Sequence, residues 1–192
     1  MSHQVSTNVR YLLWRRGTPR EQWEAWLSAR TSLSSSLSRL VVSGQMLDEQ
    51  VTSDALRSLA RVFDCADDGE SIRFGDLVGE ATNILVENLR YLFKDLGRGG
   101  KKQLAAELSI DPTTVSRWLS GAFEPQGPSL RQLVAYFGLP PDTDLRKTPI
   151  FLSVEPVAAI DRKRWLHTRI DALSPDEFRE LYPALRRMLG EH

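Results

Sequence analysis

Residues 101–125 read KKQLAAELSIDPTTVSRWLSGAFEP, and this stretch decides the fold. Leu104 and Leu108 lie one helical turn apart and Ala105 leaves room for a close helix crossing, so the spacing predicts a helix over 101–108. Ser109 and Ile110 turn the chain. Asp111 is a good N-cap, Pro112 falls at the first helical position where its missing N–H costs nothing, and Gly121 lies where a left-handed cap would close a second helix. In that second helix Val115, Trp118 and Leu119 face inward, while Thr113, Thr114, Ser116, Arg117 and Ser120 face outward.

The outward set is small, hydroxylic and free of acid, with one arginine. Such a surface suits the major groove of duplex DNA, whose phosphate walls repel carboxylates; Arg117 can reach guanine N7 and O6 or a phosphate. Arg98, Lys101 and Lys102 cluster at the start of the preceding helix, where side-chain charge, free backbone N–H groups and the positive dipole end all favour phosphate. Lys and Arg balance Asp and Glu over the whole chain at 25 each. Any attraction to a polyanion is therefore local: residues 88–147 hold nine basic against six acidic side chains. Upstream, Leu85, Leu89, Leu92, Phe93 and Leu96 recur at helical spacing behind a Thr82 or Asn83 cap and ahead of Gly97, Gly99 and Gly100.

A weaker copy of this pattern precedes it. Asn8-Val9-Arg10-Tyr11-Leu12 with Gly17 recurs as Asn88-Leu89-Arg90-Tyr91-Leu92 with Gly97. Further along, Trp23 and Leu27 pair with Leu104 and Leu108. The run Leu37-Ser38-Arg39-Leu40-Val41 pairs with Val115-Ser116-Arg117-Trp118-Leu119, and Leu56, Leu59 and Phe63 pair with Leu130, Leu133 and Phe137. In this alignment three extra residues separate Leu27 from Leu37, Glu24 stands where Ala105 does, and Ser34-Ser35-Ser36 replace the Asp-Pro cap. The outward positions of the first copy are Ser35, Ser36, Ser38 and Arg39, either a second DNA contact or a dimerisation or docking surface. Residues 64–82 read as the connection, with an exposed turn at Asp67-Asp68-Gly69-Glu70. Ile72-Arg73-Phe74 and Pro149-Ile150-Phe151-Leu152 read as short strands or docking segments.

Ser174-Pro175-Asp176-Glu177 is a capping box before an apolar stripe of Phe178, Leu181, Tyr182, Leu185, Met188 and Leu189, kinked at Pro183. This helix covers its own domain or pairs with another chain. Arg162, Lys163, Arg164 and Arg169 surround Trp165 and His167 as a basic cluster, either touching DNA backbone or forming a solvated face. The single cysteine, Cys65, fits a reducing compartment. No apolar run is long enough to span a bilayer and the N-terminus lacks a signal-peptide pattern, so a cytoplasmic protein without membrane contact is expected. His3, His167 and His192 are isolated, no glycine loop cradles phosphate, and no carboxylate pair has a fixed geometry. Catalysis, a cofactor and a metal are therefore not expected.

Residues 101–125, with NLRYL before them and PSLRQLVAYFGL after, resemble the Xre-type helix-turn-helix family that includes the Cro and lambda repressors. The likeness is close over 88–139 and loose over 8–63. It implies a five-helix domain whose third helix, 112–120, enters the major groove, with Thr113, Thr114, Ser116 and Arg117 facing the groove. Lys101 stands where the family usually has glutamine, and Ser109 where it usually has glycine. The expectation is an all-α protein of tandem five-helix lambda-repressor-like domains over 1–78 and 79–152 and a C-terminal helical segment over 153–192. It would bind duplex DNA as a transcriptional regulator, a repressor acting as a homodimer; the rival reading is a DNA-tethered adaptor or antitoxin-like protein with a protein partner.

Overall fold

A computed structural model describes residues 3–94, 96, 99–154, 166, 170 and 173–188. Among these the protein is all-α, with no strand. Ten helices fall in one compact unit, Met1–Glu155: α1 Gln4–Arg15, α2 Trp23–Arg30, α3 Ser35–Ser43, α4 Ser53–Val62, α5 Glu70–Phe74, α6 Leu77–Ala81, α7 Ile84–Phe93, α8 Gly100–Glu107, α9 Pro112–Ser120 and α10 Gly127–Tyr136. A separate unit, Pro156–His192, contains α11, Pro175–Met188.

The helices recur in order. The α3 helix is N-capped by Ser34, whose hydroxyl accepts from the Leu37 N–H, and closed by Gly44 at φ 77°. The α9 helix is N-capped by Asp111 and closed by Gly121 at φ 76°. Both ends use the same paired hydrogen bonds, Gln45 N–H to Leu40 O with Gly44 N–H to Val41 O, and Ala122 N–H to Arg117 O with Gly121 N–H to Trp118 O. Four residues separate α2 from α3, and four separate α8 from α9.

These boundaries shift the expected alignment of the two segments. From α2 to Gly44 the matching positions are 77 residues apart with no insertion, so Leu27 matches Leu104, Ser38 matches Val115 and Val41 matches Trp118. Ser38, expected outside, is fully buried because it stands at the Val115 position. Arg39 matches Ser116 rather than Arg117, and Glu24 matches Lys101 rather than Ala105. The serine run that replaces the Asp-Pro cap is a well-formed helix start, since Ser34 caps it directly.

Each half is tied off by a buried asparagine in its first helix. The Asn8 amide donates to Ile72 O at 2.9 Å and Gly75 O at 2.7 Å. The Asn88 amide donates to Leu145 O at 2.9 Å and Thr148 O at 2.7 Å, and its Oδ1 accepts from the Phe151 N–H at 3.0 Å. The segments these residues hold are not strands: Ile72 lies in α5 and 150–152 form a 3-10 turn. Nor is 64–82 an open connection, since Ile72 of α5 and Val78 of α6 are buried.

The halves meet on Tyr11, Val78, Phe151 and Leu152. Trp14 packs edge-on against Phe151 with ring centroids 5.0 Å apart. Arg20 donates to Ser153 O at 2.9 Å and to Phe151 O, and lies 4.5 Å from the Tyr91 ring centroid. Burial, reinforced by Arg20, lowers the pKa of Arg10, which holds the Leu152 carbonyl. Charge-assisted bonds to backbone carbonyls thus fix the 150–153 turn between α1 and α7.

In α11 the capping box forms as expected: the Ser174 N–H donates to Glu177 Oε2 at 2.8 Å and the Glu177 N–H to Ser174 Oγ at 3.3 Å. Phe178, Leu181 and Tyr182 are 38–47% exposed in the single chain. Leu189 and the basic cluster at 162–169 lie outside the described residues.

Candidate nucleic-acid interface

The interface is built on α8, the turn after it and α9. Leu104 and Ala105 of α8 and Val115 and Trp118 of α9 are buried, and α9 also packs on α7. Burial of these four side chains sets the rotation of both helices, which leaves Lys101, Lys102 and Gln103 exposed on α8 and Thr113, Ser116, Arg117 and Ser120 exposed on α9. Thr114 is half-buried. Arg98 lies outside the described residues.

The turn is a Schellman closure: the Ile110 N–H donates to Ala105 O at 2.9 Å and the Ser109 N–H to Ala106 O at 3.1 Å. That closure needs a left-handed residue, and Ser109 takes it at φ 55°. A side chain there costs about 1–2 kcal/mol, partly recovered because serine loses less backbone entropy than glycine on folding. Ser109→Gly is therefore expected to stabilise the protein by about 0.5–1 kcal/mol, read as a higher urea midpoint. A lower midpoint would show that the hydroxyl contributes more than the strain costs.

The start of α9 is equally well specified. Asp111 accepts from the Thr113 N–H at 2.7 Å and the Thr113 hydroxyl at 2.6 Å. These bonds, the hydroxyl's first, hold the Asp111 carboxyl below its ordinary value of 3.8. A depressed carboxyl contributes stability above its unfolded pKa and loses it as pH falls through the folded one, so the cap stays intact at neutral pH. Arg117 makes no side-chain hydrogen bond or ion pair among the described residues, and neither do Lys101 and Lys102. Three cations and the hydroxyls of Thr113, Ser116 and Ser120 are thus exposed around a turn closed by backbone bonds and a helix started by the Asp111 side chain.

The matching surface of the first half has different chemistry. Ser35, Ser36 and Arg39 are exposed, but Arg39 donates to Glu24 at 3.1 and 3.3 Å. Glu24 holds the Lys101 position and Leu40 the Arg117 position, so the first half lacks both cations. Leu37 and Leu40 are half-buried against its own core. The α2–α3 turn also follows another path, with Thr31 extended and its hydroxyl on Leu27 O at 2.7 Å. Two residues of the second half were not singled out from sequence: Gln103, and Phe123, which is 54% exposed just past α9. No local pattern marks either of them.

Residues 98–143 match a family model described as helix-turn-helix, about a quarter of the chain. The match opens just before α8 and closes after α10. No curated protein and no solved structure matches the chain. The matched segment is similar to an Xre-like helix-turn-helix domain. No described helix is long and apolar enough to cross a membrane.

Proposed function

We propose that the protein is a sequence-specific transcriptional regulator, acting as a repressor, that reads duplex DNA through α9. The observation that carries this is the acid-free exposed surface of α9, with Arg117 in no ion pair among the described residues, on a helix capped at both ends, and with Lys101 and Lys102 exposed on α8. Thr113, Thr114, Ser116, Arg117 and Ser120 meet the groove, and Lys101 and Lys102 meet phosphates. On this reading residues 1–78 and 79–152 are two related domains of which only the second reads sequence, 153–192 joins two copies, and no catalytic step is involved. Its place of action is the bacterial cytoplasm, on the nucleoid.

Arg117→Ala is expected to weaken binding at the cognate site by about 1–3 kcal/mol and to relax specificity there. Lys101→Ala should weaken all sequences alike and shrink the slope of log affinity against log salt by about one unit. Arg39→Ala should leave cognate affinity unchanged, because Glu24 already neutralises that side chain. The measurement is a titration of duplex selected from genomic fragments, at several salt concentrations. Unchanged binding by Arg117→Ala and Lys101→Ala removes α9 as the reading helix.

Exposure of Phe178, Leu181 and Tyr182 on α11 supports pairing between copies. Removal of residues 174–192 should convert a dimer to a monomer by light scattering while the helix content of Met1–Glu155 persists. An unchanged mass would assign α11 to packing within its own chain.

A further inference from the structure

The first half has lost the cations of the helix-turn-helix surface but carries others elsewhere. Trp26, half-buried on α2, stacks on Phe63 with ring centroids 5.5 Å apart and planes 27° apart. Arg16 and Arg30 both lie against its ring, at 5.3 and 5.0 Å from the centroid. Arg15 and Arg16 line a hollow of about 330 Å³ with Leu12 and Phe63. All three arginines are exposed, and no ion pair joins any of them to a carboxylate among the described residues. Arg16 Nη1 donates to Val62 O at 3.4 Å, and cation–π contact orients a guanidinium while leaving its other N–H groups available to an anion.

Helix geometry alone does not require these charges. Arg15 and Arg30 end α1 and α2, where the dipole favours cations. Yet the matching positions in the second half hold Leu96 for Arg16, Gln103 for Trp26 and Glu107 for Arg30, with Glu107 itself in the last turn of α8. The two segments therefore distribute positive charge differently: the second presents Lys101, Lys102 and Arg117 on α8 and α9, and the first presents Arg15, Arg16 and Arg30 at the ends of α1 and α2.

We propose that Arg16 and Arg30, ordered on Trp26, form with the neighbouring Arg15 a second, sequence-independent contact with the phosphate backbone of duplex DNA. Spaced guanidinium groups on an aromatic platform suit a repeating phosphate ligand. An acidic protein segment is the competing ligand, and the test separates the two. The proposal rests on the regulator reading only in that the ligand is DNA.

The experiment titrates the full chain with a non-cognate duplex over a salt series. Combined Arg15→Gln, Arg16→Gln and Arg30→Gln should shrink the slope of log affinity against log salt by about two to three units, one per phosphate released. The triple lysine variant should restore most of the slope, because charge is kept. Equal thermal midpoints for the two triple variants exclude unfolding as the cause. A slope unchanged by the glutamines overturns the proposal, and unchanged DNA binding with lost binding to polyglutamate assigns the cluster to an acidic protein. If Arg117→Ala and Lys101→Ala weaken binding but the glutamines do not, the cluster is refuted and the α9 reading stands. If the glutamines alone weaken it, the cluster stands and the α9 reading falls. No binding by the unaltered protein overturns both.

Discussion

Asn88→Ala is expected to cost about 3 kcal/mol or more of folding stability, a large share of what a small protein has. The side chain is fully buried and serves three backbone groups, Leu145 O, Thr148 O and the Phe151 N–H. Alanine strips all three of their partner at once, and each buried group left unpaired costs about 1–3 kcal/mol. Urea denaturation reads the loss as a lower midpoint at unchanged slope. Asn88→Asp is an informative companion: its oxygen still accepts from the Phe151 N–H, but its second oxygen faces two carbonyls and should cost nearly as much. A loss below about 1 kcal/mol for alanine would mean that water replaces the amide without penalty.

Ser38→Ala should act in the opposite sense and stabilise the first half by about 1–3 kcal/mol. Its Oγ is buried without a hydrogen-bond partner, as is that of Ser28 on the facing helix α2. The matching residues in the second half are Val115 and Ala105, which bring no polar atom into the same contact. Removing one hydroxyl deletes a desolvation cost and little volume, so overpacking does not intervene. Ser28→Ala with Ser38→Ala should exceed either alone. Destabilisation by Ser38→Ala, measured by denaturant titration, would show that its hydroxyl is satisfied in solution.

Much of the second half was legible because its signals are local. The Asp111-Pro112 cap, the glycine at 121 and the spacing of Val115, Trp118 and Leu119 all fall within one short stretch, and each acts through backbone geometry a few residues away. The exposed set on α9 follows from that spacing alone. The capping box of α11 was equally readable, being a reciprocal bond between neighbours.

The first half was legible in kind but not in register. Leu37, Leu40, Val41 and Val42 put apolar side chains on more than one side of α3, so a one-residue slip leaves a plausible inward face. That slip turned Ser38 outward and paired Arg39 with Arg117, and a four-residue slip of α2, one full helical turn, hid the match between Glu24 and Lys101. Packing of Val41 and Ser38 against α1 and α2 selects one register, and a sequence window contains none of those neighbours.

By itself the sequence determined the all-α class, the helix-turn-helix of the second half and the exposure of Thr113, Ser116, Arg117 and Ser120 on α9, since capping and helical periodicity are short-range physics. Only the tertiary structure decided that residues 64–82 and 150–152 fold back as helical turns. The groups they present to Asn8 and Asn88, Ile72 O and the Phe151 N–H, lie about sixty residues away in sequence. It also decided where the charge of the first half can act, because Glu24 meets Arg39, and Arg16 and Arg30 meet Trp26, only when α1, α2 and α3 are packed together.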